Sequence, residues 1–397
     1  MNRCYRPLTL LALAGVLSLL RPAMLGAAEP GVVIRDAANR VIPIALSGFS
    51  DEVRRVLEFD LYVVGFDVKP ATPQYQLVGA PGGGPVRATL TDVNNSQTLF
   101  ARAYPGGSPR AQAHALADDV VKTLLQLPGI ASTRIAFKNS PGGRNGQGET
   151  ISEIWASDYD GANPIALTGD GTIAAAPSWV PGRLELFYVT YRSVRPEIYM
   201  QNLRTGDRKR IFSFPGTSMS PAVSPDGTRV AMILSKSGSP DLWVANVDGT
   251  GLRQLTTTKE LEASPCWSPD GTRICFTSTE GGRPALYTIP AGGGVMTRLR
   301  TGGVTQCTEP DWSPDGKWIA FTRASGEFTL YVVPAAGGDA RALVAGEDPS
   351  WSPNSRTLVF ARRSGSERRL SLLDVPTGQV KDLARISGNC SQPSWAR

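Results

Sequence analysis

The sequence predicts a mainly β protein: a six-bladed β-propeller of four-stranded blades, its ring closed by the C-terminal strand, preceded by a small α/β domain. Three observations predict it. The segment Pro-x-Trp-Ser-Pro-Asp-Gly, complete at Pro265 to Gly271, recurs in close copies anchored on Pro177, Pro221, Pro265, Pro310, Pro349 and Pro393, at intervals of 44, 44, 45, 39 and 44 residues. A fixed period of that length, in a chain with 42 Gly and 31 Pro, marks an array of identical supersecondary units. Each unit carries signals for four short strands, and the two ends of the repeat region are complementary fragments of one unit.

In chain order, Arg3 and Arg6 precede an apolar run from Leu8 to Leu20, and Gly26-Ala27-Ala28 follow before Glu29. This is the form of a secretory signal peptide over residues 1–28; the run is too short to span a bilayer and Arg21 ends it. Cys4 lies ahead of the apolar run, out of position for lipid attachment. An exported, soluble mature chain with no transmembrane segment is expected. Without the leader the chain carries 38 basic and 35 acidic residues, a balance of +3 that gives no ground for a nucleic-acid partner.

Residues 29–131 contain no repeat and read as the α/β domain. Val32-Val33-Ile34 and Val41 to Leu46 have strand character, a short helix is expected near Asp51 to Glu58, and Leu61 to Gly65 looks like a buried strand. Alternating segments follow at Tyr75 to Val78, Val86 to Thr91 and Thr98 to Tyr104. The best-defined helix comes last: Ser108 caps it, Pro109 suits its first turn, and Ala113, Leu116, Val120, Leu124 and Leu127 share a face. Pro128-Gly129 breaks it.

Residues 132–397 form the propeller. In each repeat Ser-Pro-Asp-Gly makes a tight turn, with Pro fixing φ and Gly taking the left-handed position. Alternating apolar strands follow, such as Val230 to Ile233 and Ile274 to Phe276, then a second strand such as Leu242 to Val244, then a last strand ending near Leu255-Thr256. Arg134-Ile135-Ala136-Phe137 is an orphan strand ahead of the first Trp copy. Gln392 to Trp395 is a copy cut off after its Trp. One blade built from both ends would leave no open sheet edge.

Candidate chemistry is sparse. The single histidine, His114, lies on the helix outside the ring, so no His-based triad or metal cluster can be built in the propeller; it reads as a partly exposed helix residue. Asp158 to Asn163 resembles the start of a calcium loop but lacks the later acid, and it occupies the slot of Asn246 to Gly249, a hairpin turn. The recurring Asp of Ser-Pro-Asp-Gly reads as a turn ligand. Arg208-Lys209-Arg210 and Arg362-Arg363 with Arg368-Arg369 read as solvated charge near hairpin turns. Trp179, Trp267, Trp312, Trp351 and Trp395 read as packing between blades. Counting outward from the Asp270-Gly271 turn sets Cys266 opposite Cys275, where a disulfide is sterically conceivable; the other reading is two small buried hydrophobes. Cys307 and Cys390 hold equivalent positions two blades apart, too far to bridge. No cofactor or metal is expected.

The signal peptide, the small α/β domain, the repeats, Arg134-Ile135-Ala136-Phe137 directly after a helix, Ser157-Asp158-Tyr159-Asp160-Gly161, and Leu61 to Gly65 in the N-terminal domain together resemble the TolB family of the periplasmic Tol-Pal cell-envelope system. The resemblance covers nearly all of the mature chain. It implies a monomeric, non-catalytic binding protein of the periplasm that supports outer-membrane integrity and envelope constriction at division. Loops at one propeller mouth would dock the peptidoglycan-associated lipoprotein Pal, through the segments ahead of the repeat prolines: Met219-Ser220, Ala263-Ser264, Thr308-Glu309 and Glu347-Asp348. The N-terminal segment, Glu29 to Asp36 with Val32, Val33, Ile34 and Arg35, would communicate with TolA or other inner-membrane Tol proteins. The chain departs from the family by being short between Phe49 and Leu61, which bears on that coupling, and by the 39-residue interval before Pro349. Two other readings stand: an exported propeller with a different envelope partner, and a carbohydrate-active enzyme using Glu262, Glu309, Glu347 and Asp348.

Overall fold

A computed structural model of the chain describes residues 40–80, 84–146 and 148–397; the leader and the segment from Glu29 to Arg35 lie outside the described residues. A five-stranded sheet comes first, built from β1 (Ile42–Ser47), β2 (Phe66–Asp67), β3 (Tyr75–Gly79), β4 (Val86–Asp92) and β5 (Gln97–Tyr104) in the order β2-β1-β3-β4-β5. Strand β1 runs parallel to both neighbours and the remaining pairs are antiparallel. Helices α1 (Asp51–Tyr62) and α2 (Pro109–Leu125) pack on each other, and α2 also packs on β4 and β5.

Six four-stranded sheets follow, each ordered inside to outside. Blade 1 joins Asn389–Trp395 to Arg134–Ser140, Glu153–Asp158 and Ile165–Ala166, so the two ends of the repeat region close the ring as one sheet. The inner strands of blades 2 to 6 are Ala174–Trp179, Ser218–Val223, Glu262–Trp267, Cys307–Trp312 and Glu347–Trp351. The connecting turns of blades 3, 4 and 5 share one chemistry. In blade 4 the Ser268 hydroxyl donates to Asp270 Oδ1 (2.5 Å) and accepts from Arg273 N (2.9 Å), while Gly271 sits at φ +67° and donates to Ser268 O. Ser224 with Asp226 and Ser313 with Asp315 repeat it, so the recurring Asp is a turn ligand.

Blades are stitched as well as packed. The repeat tryptophans are buried, and Trp267 shares a cluster with Ala231, Ile233, Leu242 and Val244 of the preceding blade. Trp267 Nε1 donates to Ala222 O (2.8 Å) and Trp179 Nε1 to Ser394 O (3.0 Å). At the position after the Pro of blades 2, 5 and 6, Ser178 Oγ, Asp311 Oδ2 and Ser350 Oγ accept from Val223 N, Trp351 N and Trp395 N of the next blade, at 3.1, 2.7 and 3.1 Å. The 39-residue interval reflects a link of one residue, Gly346, between Arg341–Ala345 and Glu347–Trp351. Only glycine fits there, because a Cβ would stand 2.5 Å from the Phe360 ring.

Several expectations change. Leu61 to Gly65 is no strand: Val53, Val56, Leu57, Asp60 and Leu61 form one buried helical face, and Val63 to Gly65 are the turn that ends α1. The apolar run is buried because the propeller covers it, with Thr357 Oγ1 donating to Val63 O (3.3 Å). Helix α2 stops at Leu125 with Gln126 left-handed (φ 57°), which leaves Leu127 beyond the helix; its Ser108 cap accepts from Ala111 N as expected. Arg208-Lys209-Arg210 lies in an outer strand, where Arg208 and Arg210 pair with Asp170 and Glu197. The four arginines of blade 6 lie on a long hairpin, Thr357–Ser364 with Glu367–Asp374.

His114 is the largest departure, since it is 8% exposed rather than partly solvated. It faces Asp60 of α1, with Nδ1 2.7 Å from Oδ2, and Tyr159 of blade 1 donates to the other oxygen of Asp60. Helix α2 is thus sandwiched between α1 and the ring, so this face is internal. Asp118, one turn on, accepts from Ala131 N (3.0 Å), and burial lifts its pKa from 3.8 to about 6. A raised acid favours the fold when neutral, so that contribution is complete below pH 3.8 and is lost as pH rises through about 6. We expect Asp118→Asn to raise the unfolding free energy at pH 7 relative to pH 4 by about 2 kcal/mol compared with the parent. Thermal melts at the two pH values check it, and an unchanged difference would rule it out.

Candidate functional site

The inner strands enclose a channel. Each carries a bulge just before its Pro; in blade 4, Ala263 pairs with Thr277 and Cys266 with Cys275, leaving Ser264 and Pro265 outside the ladder. Proline suits that place because it has no N–H to satisfy. The residue before it is left-handed in every blade: Ala176, Ser220, Ser264, Glu309, Asp348 and Gln392 have φ between 49° and 56°. Such a φ is costly outside glycine, so its sixfold recurrence is imposed by the ring. These residues and their prolines line a cavity of about 450 Å³ that extends to the turn prolines Pro181, Pro225, Pro269 and Pro314.

Of the residues expected at the mouth, Ser220, Ser264, Glu309 and Asp348 therefore converge on the channel. Met219, Ala263, Thr308 and Glu347 do not line it; each pairs in its ladder, with Ile233, Thr277, Thr322 and Ala361, nearer the opposite face. Glu309 Oε2 accepts from Asp348 N (3.0 Å), Asp348 Oδ2 from Gln392 N (2.9 Å), and Gln392 Oε1 from Ala176 N (3.0 Å). Around half the ring, then, each side chain caps the inner strand of the next blade. Burial pushes the pKa of both acids up; the Glu309 charge raises Asp348 further, and Glu347 raises both. Of the four acids considered for carboxylate chemistry, Glu309, Glu347 and Asp348 lie near one another, each committed to its own partners, and Glu262 stands apart. Glu262 is buried against Thr256, Thr258 and Leu242 N, and Glu347 is buried against Arg363 and Arg368. Glu309 and Asp348 stand side by side on adjacent blades.

The face opposite the Ser-Pro-Asp-Gly turns carries exposed apolar side chains, the expected Met219 and, in addition, Leu261. Met219 is 39% exposed and Leu261, which immediately precedes the inner strand of blade 4, is 50% exposed. The blade 6 hairpin reaches the same face, with Arg363 stacked over the Phe328 ring at 4.6 Å. An apolar residue in a loop one position ahead of a repeat strand was the available signal for Leu261. Gln392 could have been found by aligning the position before each repeat Pro.

The other prominent contact region is the seam between the N-terminal sheet and blades 6 and 1. Asp160 lies between Arg110 (2.6 Å) and Arg385 (2.7 Å), which hold its carboxyl below the ordinary range against the effect of burial. Tyr159, fully buried, packs edge-on against Phe59 and His114, with centroids 5.9 and 6.0 Å away. The motif around Tyr159 is thus a hairpin turn whose tip is inserted into the seam. Among the described residues no group of side chains is arranged to hold a metal ion, and no helix is long and apolar enough to cross a membrane.

Comparison with known proteins gives a consistent picture. A family described as the TolB beta propeller domain matches residues 121–397. The Tol-Pal system protein TolB of Gluconobacter oxydans is 32% identical over 233 residues, 52% of this chain and 51% of that protein. Its counterpart in Anaeromyxobacter dehalogenans is 31% identical over 267 residues, 57% of this chain and 59% of that protein. The aligned region thus spans about half the length of these curated relatives. The crystal structure of TolB from Acinetobacter baumannii superposes with a TM-score of 0.79 at 25% identity, over 91% of this chain and 98% of that one.

Proposed function

The chain belongs to the TolB β-propeller family, and from that premise we propose that it is a non-catalytic periplasmic scaffold of the Tol-Pal system. In this reading residues 1–28 are a cleaved leader, 29–131 the N-terminal domain and 132–397 the propeller. The propeller docks Pal, the N-terminal segment from Glu29 engages TolA or another inner-membrane Tol protein, and the assembly supports the outer membrane and constriction at division. What supports it most is the similarity to Acinetobacter TolB along almost the full length of both chains. The commitment of Glu309 and Asp348 to backbone amides also favours binding over catalysis.

The structure redirects the test of docking. Replacing Glu309 would disturb the ring, because its carboxylate caps Asp348 N. Met219 and Leu261 are exposed, so Met219→Glu with Leu261→Glu should leave the fold intact. Immobilised mature protein should retain purified Pal from the same organism, and the double variant should weaken retention at least about tenfold. Absence of binding by the native protein with folded Pal would defeat the proposal. Unchanged binding by the double variant would move the docking surface elsewhere.

A further inference from the structure

We propose that Cys266 and Cys275 form a disulfide that pins the inner strand of blade 4 to its neighbour when the chain folds in an oxidising medium. The two are direct partners in the antiparallel ladder. Ser268 N donates to Arg273 O across the same pair of strands (2.9 Å). Two residues further along both strands is again a hydrogen-bonded pair, where Cα atoms stand about 5.5 Å apart. That separation lies inside the range of about 4.4 to 6.8 Å that a disulfide bridges, while the Cβ atoms, about 5.5 Å apart in such a pair, must draw together by about 1 Å for the bond to close. Both are buried free thiols here, and as direct partners in the ladder their side chains project from the same face of the sheet. Neither of the other thiols has a cysteine opposite: Cys307 pairs with Arg323 and Cys390 with Asn139.

Burial decides when the bond forms. Cys266 and Cys275 share a buried cluster with Leu286, Trp312, Ile319 and Phe321, the last three from blade 5, and Cys266 also borders the channel. Burial raises the Cys266 thiol well above its ordinary pKa, so the folded protein holds almost no reactive thiolate there. Exchange therefore belongs to folding, before blade 5 closes over blade 4. One thiolate attacks a disulfide of an exported oxidant and releases one oxidant thiolate, forming a mixed disulfide. The second cysteine, as thiolate, then attacks the protein sulfur of that mixed disulfide and expels the oxidant's other thiolate. The protein loses two electrons and two protons and the oxidant becomes a dithiol. The bond lies directly after Ser264-Pro265, so it ties the left-handed channel position of blade 4 to the second strand.

In the cell this inference rests on the export proposed above, and the experiment separates the two. The full mature chain is refolded from urea with oxidised glutathione, and in parallel is isolated from its own cells; both samples are alkylated in urea without reductant. In the refolded sample we expect adducts on Cys307 and Cys390 only, with the tryptic peptides ending at Arg273 and beginning at Ile274 joined. Reduction before refolding should lower the unfolding midpoint by about 5 °C, and Cys275→Ser should abolish both the link and that difference. Four alkylated thiols in natively folded, glutathione-refolded protein would overturn the proposal. A link in the refolded sample with free thiols in the cellular sample upholds the pairing and overturns export.

Discussion

Deleting residues 392–397 should lower the midpoint of thermal unfolding by more than about 10 °C. These residues supply most of the ring closure. Trp395, 2% exposed, donates from Nε1 to Thr133 Oγ1 (2.7 Å) and packs beside Tyr159. Ser394 O accepts from the Trp179 indole and Gln392 Oε1 from Ala176 N, so blade 2 loses partners too. Removing one buried Trp side chain typically costs about 3–5 kcal/mol, and here the edge of Arg134–Ser140 is also left unpaired over part of its length. A deletion of equal length in the exposed loop 141–146 should cost far less. Calorimetry of the two deletions side by side decides it, and equal midpoints would refute closure by the shared blade.

The second large effect concerns the seam. Arg356 and Asp374 form a buried pair at 2.5 and 3.0 Å, directly under Gly65 of the N-terminal unit. Arg356→Met would strand the Asp374 carboxylate, which is fully buried, and such an uncompensated charge costs about 3–5 kcal/mol. Burial already raises the Asp374 pKa despite the arginine. The folded-state pKa therefore lies above the unfolded one, and the neutral form favours the fold. The defect should shrink as pH falls through the folded pKa and be fully expressed above it. Arg356→Met with Asp374→Leu should recover most of the loss. Limited proteolysis should cut the single variant faster within 127–133; equal rates at pH 7 in parent and variant would count decisively against a role for this pair in docking.

The candidate site was partly legible. The position before each repeat Pro was singled out from spacing, and Ser220, Ser264, Glu309 and Asp348 do converge on one channel. Their neighbours Met219, Ala263, Thr308 and Glu347 part from them because a bulge takes the residue before each Pro out of the ladder while its predecessor stays paired. Leu61 to Gly65 departs from the expected strand because an apolar run of that length is equally a strand or the buried end of a helix. Only the propeller packed against it distinguishes the two.

The sequence by itself determined the period, the turn chemistry and the closure of the ring, because these depend on residues within one repeat or on matching fragments at its two ends. Tertiary structure alone decided the meaning of Tyr159, His114 and Asp60. Tyr159 lies 99 residues from Asp60 and His114 lies 54 from it, yet the three share one buried hydrogen-bonded cluster. No local pattern marks such a cluster. It arises because a carboxylate drawn into an apolar seam must find donors there, whichever part of the chain supplies them.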